Sequence, residues 1–207
     1  GSSVLYGPGG NAAVINIATE LHGPCLHGPA EVENGGPRQH RESVTASYGS
    51  DKVKMFGSVS NYDQDYFKLS DDFNATSLQG NRRRVNSDRE DQSLYANMSY
   101  ESSPWAQFGL SLGYRQGEYG KPVSTEAQND SVFARRVRFE RVDDYDSFSV
   151  QGTALFKLSP NFTVRPTLFF NQLNELTNGF DDLTFSTQDK TGALHEDAST
   201  NIWGGGV

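Results

Sequence analysis

The sequence predicts an all-β protein built as an antiparallel meander. Three observations predict it: apolar side chains recur at every second position, tight turns join the patterned runs in pairs, and no stretch carries a helical period. In Trp105 to Arg115 the even positions are Ala106, Phe108, Leu110, Leu112 and Tyr114, and the odd ones are Gln107, Gly109, Ser111, Gly113 and Arg115. Successive strand side chains point to opposite faces, so this run has one apolar face and one small or polar face.

The same split places the other strands. Val44, Ala46 and Tyr48 mark a strand near 39–49, and Val53, Met55, Gly57 and Val59 mark one near 52–62. Leu94, Ala96, Met98 and Tyr100, set against Ser93, Tyr95, Asn97 and Ser99, place a strand near 92–101, and the run above extends over 105–118. Phe148, Val150, Gly152, Ala154, Phe156 and Leu158 give a strand near 145–158; Phe162, Val164, Pro166, Leu168 and Phe170 give one near 161–173. Shorter patterns at 30–35 and 199–207 complete the series. Turn chemistry at Gly49-Ser50-Asp51-Lys52, Ser102-Ser103-Pro104 and Ser159-Pro160-Asn161 joins neighbouring runs into hairpins. Between hairpins lie long polar stretches, near 63–91, 120–144 and 174–200.

Composition narrows the function classes. With 26 Asp+Glu against 18 Lys+Arg the formal net charge is −8, which argues against general nucleic-acid binding, since that needs a basic face. A single Cys rules out an internal disulfide framework and a multi-Cys zinc site. No apolar run exceeds the four residues Ala12 to Ile15, so no transmembrane helix of roughly 20 apolar residues is encoded. A membrane β-barrel stays open, because its strands show only every second residue to lipid.

Alternation alone fits two architectures. A soluble β-sandwich buries its apolar faces between two sheets. An outer-membrane barrel shows them to lipid and alternates short turns with long loops. Loops of the length seen here are unusual in a compact soluble domain, where a median near 4–6 residues is the norm. Tyr100, Trp105, Tyr114, Tyr145 and Phe162 fall near strand ends, where an interfacial aromatic girdle would place them. The membrane barrel is the favoured expectation, with the sandwich binding module and a small eight-stranded outer-membrane barrel of structural or adhesive role as alternatives.

Residues 1–19 place three glycines (Gly7, Gly9, Gly10) ahead of a short apolar strand, Val14-Ile15-Asn16-Ile17. No Gly-Lys-Ser/Thr follows, so a phosphate-cradling loop is not indicated. The segment resembles the end of the plug domain of TonB-dependent outer-membrane receptors, in which a Leu-Tyr-Gly and several small residues precede Val-Ile-Asn-Ile. Leu5, Tyr6 and Gly7 and then Val14, Ile15, Asn16 and Ile17 match, and Ala12-Ala13 stand where the family usually carries two glycines. The resemblance implies a fragment: residues 1–20 as the end of the plug, 21–29 as a linker, and 30–207 as about the first seven or eight strands of a barrel of roughly 22.

It further implies an outer-membrane location in a Gram-negative bacterium and active uptake of a siderophore-like substrate. The partners would be the TonB energy-transducing complex, outer-membrane lipid and lipopolysaccharide. In that orientation the short turns are periplasmic and the long stretches extracellular, with Arg115, Gln151, Arg165 and Asn171 lining the lumen.

Candidate chemistry is sparse. Arginine forks suit phosphate, carboxylate or catecholate oxygens, so two basic clusters, Arg82, Arg83 and Arg84 with Arg89, and Arg135 and Arg136 with Arg138 and Arg141, are candidate ligand contacts beside Arg115, Gln151 and Arg165. The run Leu21-His22-Gly23-Pro24-Cys25-Leu26-His27-Gly28-Pro29 gathers two imidazoles and a thiol, but without a fourth ligand it reads as a Gly-Pro linker. The pairs Asp71-Asp72, Asp143-Asp144 and Asp181-Asp182 read as surface acids rather than a hydrolase pair held across a cleft. No nucleophile motif accompanies His40 or His195. No enzymatic activity, cofactor or resident metal is expected.

Overall fold

The computed structural model describes residues 26–36, 38–125 and 137–207. The described residues form ten strands of one antiparallel sheet and contain no helix. The strands are β1 (Leu26–His27), β2 (Ala30–Gly35), β3 (Gln39–Gly49), β4 (Val53–Gln64), β5 (Arg89–Ser103), β6 (Ala106–Gly120), β7 (Phe139–Ser159), β8 (Phe162–Val164), β9 (Thr167–Phe180) and β10 (Leu194–Gly206).

Ten strands trace eight paths, because two paths are interrupted by proline. Both β1 and β2 pair with β3, and the break between them is Gly28-Pro29. Both β8 and β9 pair with β7, with Arg165-Pro166 between them. Proline brings no N–H to the ladder, but its carbonyl still accepts. Pro29 O takes the Thr45 N–H at 3.0 Å and Pro166 O takes the Ala154 N–H at 2.9 Å, so each path keeps its neighbour.

All eight expected strands are present, each paired with its neighbour in sequence. Several are longer than expected, mainly at the end away from the tight turns. β5 begins at Arg89, β7 at Phe139 and β10 at Leu194, while β9 runs to Phe180. The polar side chains there hide the alternation, yet the ladder continues: Arg89 pairs with Gln64 and Tyr119, and Phe139 with Phe180. One irregularity changes the facing of side chains near the upper end of β7. This strand carries an extra residue at Asp143-Asp144 relative to both β6 and β9. Such a bulge reverses which face the residues beyond it occupy.

The register sorts side chains into two faces. Rows on the apolar face read Val44, Val59, Leu94, Tyr114, Phe148; then Ala46, Gly57, Ala96, Leu112, Val150, Phe170, Trp203; then Tyr48, Met55, Met98, Leu110, Gly152, Leu168. From Leu94 to Tyr100, or Phe108 to Tyr114, the band covers roughly 20 Å of strand at about 3.4 Å per residue. Above it runs a polar row: Glu42, Asn61, Gln92, Gln116, Asp146, Asn174 and Ser199.

No second layer covers this band among the described residues, and the soluble sandwich is therefore not the fold they adopt. Val44 is 57% exposed, Leu168 70% and Trp203 82%, whereas the only described apolar residues below a tenth are Ala106, Val123, Val142 and Tyr145. The sheet is also open: β10 pairs only with β9, and β1 and β2 only with β3. A closed eight-stranded barrel would pair those edges.

Candidate functional site

Toward the long-loop end of the sheet, the polar face carries a cluster of arginines and tyrosines on five adjacent strands. Period-two geometry assembles it from residues far apart in sequence: Arg41 lies opposite Tyr62, Tyr62 opposite Asp91, Asp91 opposite Gly117, and Gly117 opposite Tyr145. Arg89 faces Gln64, and Arg115 faces Ser93. The same heights on the other face hold Glu42, Asp63, Glu90 and Glu118. In Arg89-Glu90-Asp91-Gln92 the alternation sends Arg89 and Asp91 to one side and Glu90 and Gln92 to the other.

Asp91 organises the cluster. Its Oδ2 accepts from Arg89 Nε at 2.5 Å and from an Arg115 terminal nitrogen at 2.7 Å, and its Oδ1 accepts the Tyr145 hydroxyl. Each arginine also lies over a ring: Arg41 Cζ is 5.9 Å from the Tyr62 centroid, Arg89 Cζ 6.0 Å from Tyr119, and Arg115 Cζ 5.8 Å from Tyr145. Gly117 makes the span possible. A Cβ there would sit 2.0 Å from Glu90 O and 3.0 Å from Asp91 Oδ1, so any side chain would displace the carboxylate and the neighbouring backbone.

Around this centre the groove is bounded by Gln39, Ser60, Gln64, Phe67 and Ser93. The Ser60 and Ser93 hydroxyls bond each other at 2.8 Å, and Tyr62 donates to Gln64 Oε1. Both Asp91 oxygens are occupied, so the groove presents donors and cationic forks rather than a free base. That chemistry suits holding oxyanions.

Of the expected contacts among the described residues, Arg89 and Arg115 belong to this cluster. Gln151 is on the same face but lower, opposite Ser111 and Phe169. Arg165 sits in the break between β8 and β9, toward the tight turns. Tyr145, expected in an interfacial girdle at a strand end, is instead buried on the polar face against Asp91: it shares the parity of Ser147 and Ser149, and β7 begins six residues before it, at Phe139.

Arg82, Arg83 and Arg84 belong to the loop 65–88, which is ordered rather than structureless. Leu69 donates to Arg82 O at 3.1 Å, Arg84 N donates to Phe67 O at 2.8 Å, and Arg83 Cζ covers the Tyr66 ring at 4.5 Å. Arg84 donates to Gln79 Oε1 at 3.0 Å and to Val123 O at 2.5 Å; burial pushes its guanidinium pKa down. Arg84 is therefore a structural strut between loops.

Arg141 is likewise structural. It holds both Asp88 oxygens at 2.9 and 2.6 Å and lies 3.4 Å from Asp143, on the Glu118 side of the sheet. The bulge puts it there; unbroken alternation from Tyr145 would have sent it to the polar face. Arg135, Arg136, the 1–17 motif, His22 and Cys25 lie outside the described residues.

Sequence reasoning missed Arg41, Asp91 and Tyr145 as site residues, and grouped Arg89 with the loop arginines Arg82 to Arg84 rather than with Arg115. The signal was available in the odd positions of 39–41 and 89–91, which continue the polar parity of Ser93 and Ser43 past the end of the apolar pattern. No family model, curated protein or solved structure matches this chain.

Proposed function

We propose that this chain is wall and plug tail of a TonB-dependent outer-membrane receptor that takes up a siderophore-like substrate. Residues 1–20 close the plug and the expected linker 21–29 shortens to 21–25, because β1 (Leu26–His27) already pairs with β3; 26–207 supply the first strands of a larger barrel. One observation carries the membrane part: a continuous apolar band, one sheet thick and half-exposed, backed by a polar face. Strands of 11 to 21 residues from β3 to β7 also meet or exceed the ~9–11 that a tilted membrane strand needs. The ordered loops at one end and tight turns at the other support the same reading. The plug, the substrate and the TonB partnership rest on the resemblance of Leu5-Tyr6-Gly7 and Val14-Ile15-Asn16-Ile17.

Lipid quenching tests it. Trp203 sits opposite Phe170 on the apolar face, and with Trp105→Phe it becomes the chain's single tryptophan. In vesicles of acyl-chain-brominated lipid its emission is expected to fall well below that in ordinary lipid, with aqueous iodide quenching little. Full iodide access and no bromine effect, in a chain that keeps its β-sheet circular dichroism, would refute the reading.

A further inference from the structure

We infer that the groove on the polar face between β3 and β6 is a binding site for a small ligand carrying two negative charges, as carboxylates or phosphate. Three guanidinium groups, Arg41, Arg89 and Arg115, border it together with one carboxylate, Asp91, which leaves an excess of two positive charges. Asp91 cannot neutralise more, because one oxygen already serves two arginines and the other serves Tyr145. Arg41 has no carboxylate partner among the described residues; its contact is the Tyr62 ring.

Two acids share the polar face but lie outside the groove lining: Glu33 across from Arg41 on β2, with no ion pair between them, and Glu175 across from Tyr145, 3.7 Å from Lys121. The remaining nearby acids stand at the same heights on the opposite face. Glu42, Asp63 and Glu90 are each adjacent in sequence to a groove residue, and the backbone of the sheet lies between. Arginine also outlasts lysine for this purpose, since its weakly hydrated planar fork pairs bidentately with carboxylate or phosphate. The space available is about 590 Å³, enough for a ligand of modest size. Phe67, 57% exposed at the border, and the Tyr62 ring offer flat apolar surface to its uncharged part.

This site does not depend on what covers the apolar face. The test is calorimetric titration of succinate, of inorganic phosphate and, as a single-charge control, of acetate into the chain in detergent micelles. Succinate or phosphate is expected to bind, acetate at least about tenfold more weakly, since it meets only one fork. The tighter of the two dianions identifies the headgroup. Arg41→Gln is expected to weaken that dianion about tenfold, and because Arg41 makes no ion pair the sheet should keep its circular dichroism. Arg115→Gln should act similarly, and Arg138→Gln, which lies beside Glu140 in the loop region, should stay within about twofold.

Absence of dianion binding to a chain with intact sheet signal, acetate binding as tightly as the dianions, or indifference to Arg41→Gln would each overturn the inference. Dianion binding without lipid quenching of Trp203 would remove the membrane reading and leave this site standing. Quenching without dianion binding would do the reverse.

Discussion

At Asp91 one carboxylate with 8% of its surface exposed serves three donors from three strands. Asp91→Asn keeps the shape but removes the charge that holds Arg89 and Arg115. The expected loss is about 1.5–3 kcal/mol, read as a lower denaturation midpoint with unchanged slope. Gly117→Ala attacks the same knot from above, since its Cβ would lie 2.0 Å from Glu90 O. About 1–3 kcal/mol of destabilisation is expected from the backbone shift this forces. Neither residue announces itself in the sequence: Gly117 reads as one more small residue on a polar face, and Asp91 as the end of a loop. Their role depends on register across β4 to β7, which a strand's own alternation does not specify. Arg141 shows the same limit, because one extra residue at Asp143-Asp144 moves it to the other face.

The strands themselves were legible wherever one face is apolar. Their polar extensions were not, because period two cannot be seen when both faces carry charges, as in Arg89 to Gln92. The loops hid their order for a related reason: it rests on single side chains rather than on a pattern. Gln79, 2% exposed, donates to Gly80 O and Arg83 O and accepts from Arg84 and Val85 N. Gln79→Ala strands those groups and should open 65–88 to limited proteolysis while the strand signal persists.

In the loop between β9 and β10, Asp182 accepts from the Thr184 hydroxyl at 2.6 Å and amide at 2.9 Å, which lowers its pKa. Asp181 is lowered too: desolvation opposes the shift, and the Asp189 and Lys190 amides, at 2.8 and 2.9 Å, overcome it. A lowered carboxyl pKa contributes order that is complete above the unfolded value of ~3.9 and is lost as pH falls through the folded value. Amide exchange at Thr184, Asp189 and Lys190 should therefore be protected at pH 6 and lose protection below about pH 4. Protection unchanged down to pH 2 would show that these carboxylates do not hold the loop.

Across the whole molecule the two faces predict opposite responses to charge. Leu110 and Ser111 are adjacent in β6 and point to opposite sides. In lipid, Leu110→Arg is expected to cost about 2–4 kcal/mol, as a charge at mid-bilayer does, whereas Ser111→Arg should cost far less. Equal costs for the pair would mean that both sides meet the same solvent. Outside lipid the exposed band and unpaired edges favour self-association, so detergent-free chain should sediment as aggregates rather than monomer.

The two margins of the sheet are unequal hosts for a newcomer. One is cut at Gly28-Pro29 into pieces of two and six residues, whereas the other, β10, offers thirteen residues without a break. Proline at a margin blunts templating, and an unbroken run invites it. The β10 margin is thus the better template of the two, and misassembly between copies is expected to begin there.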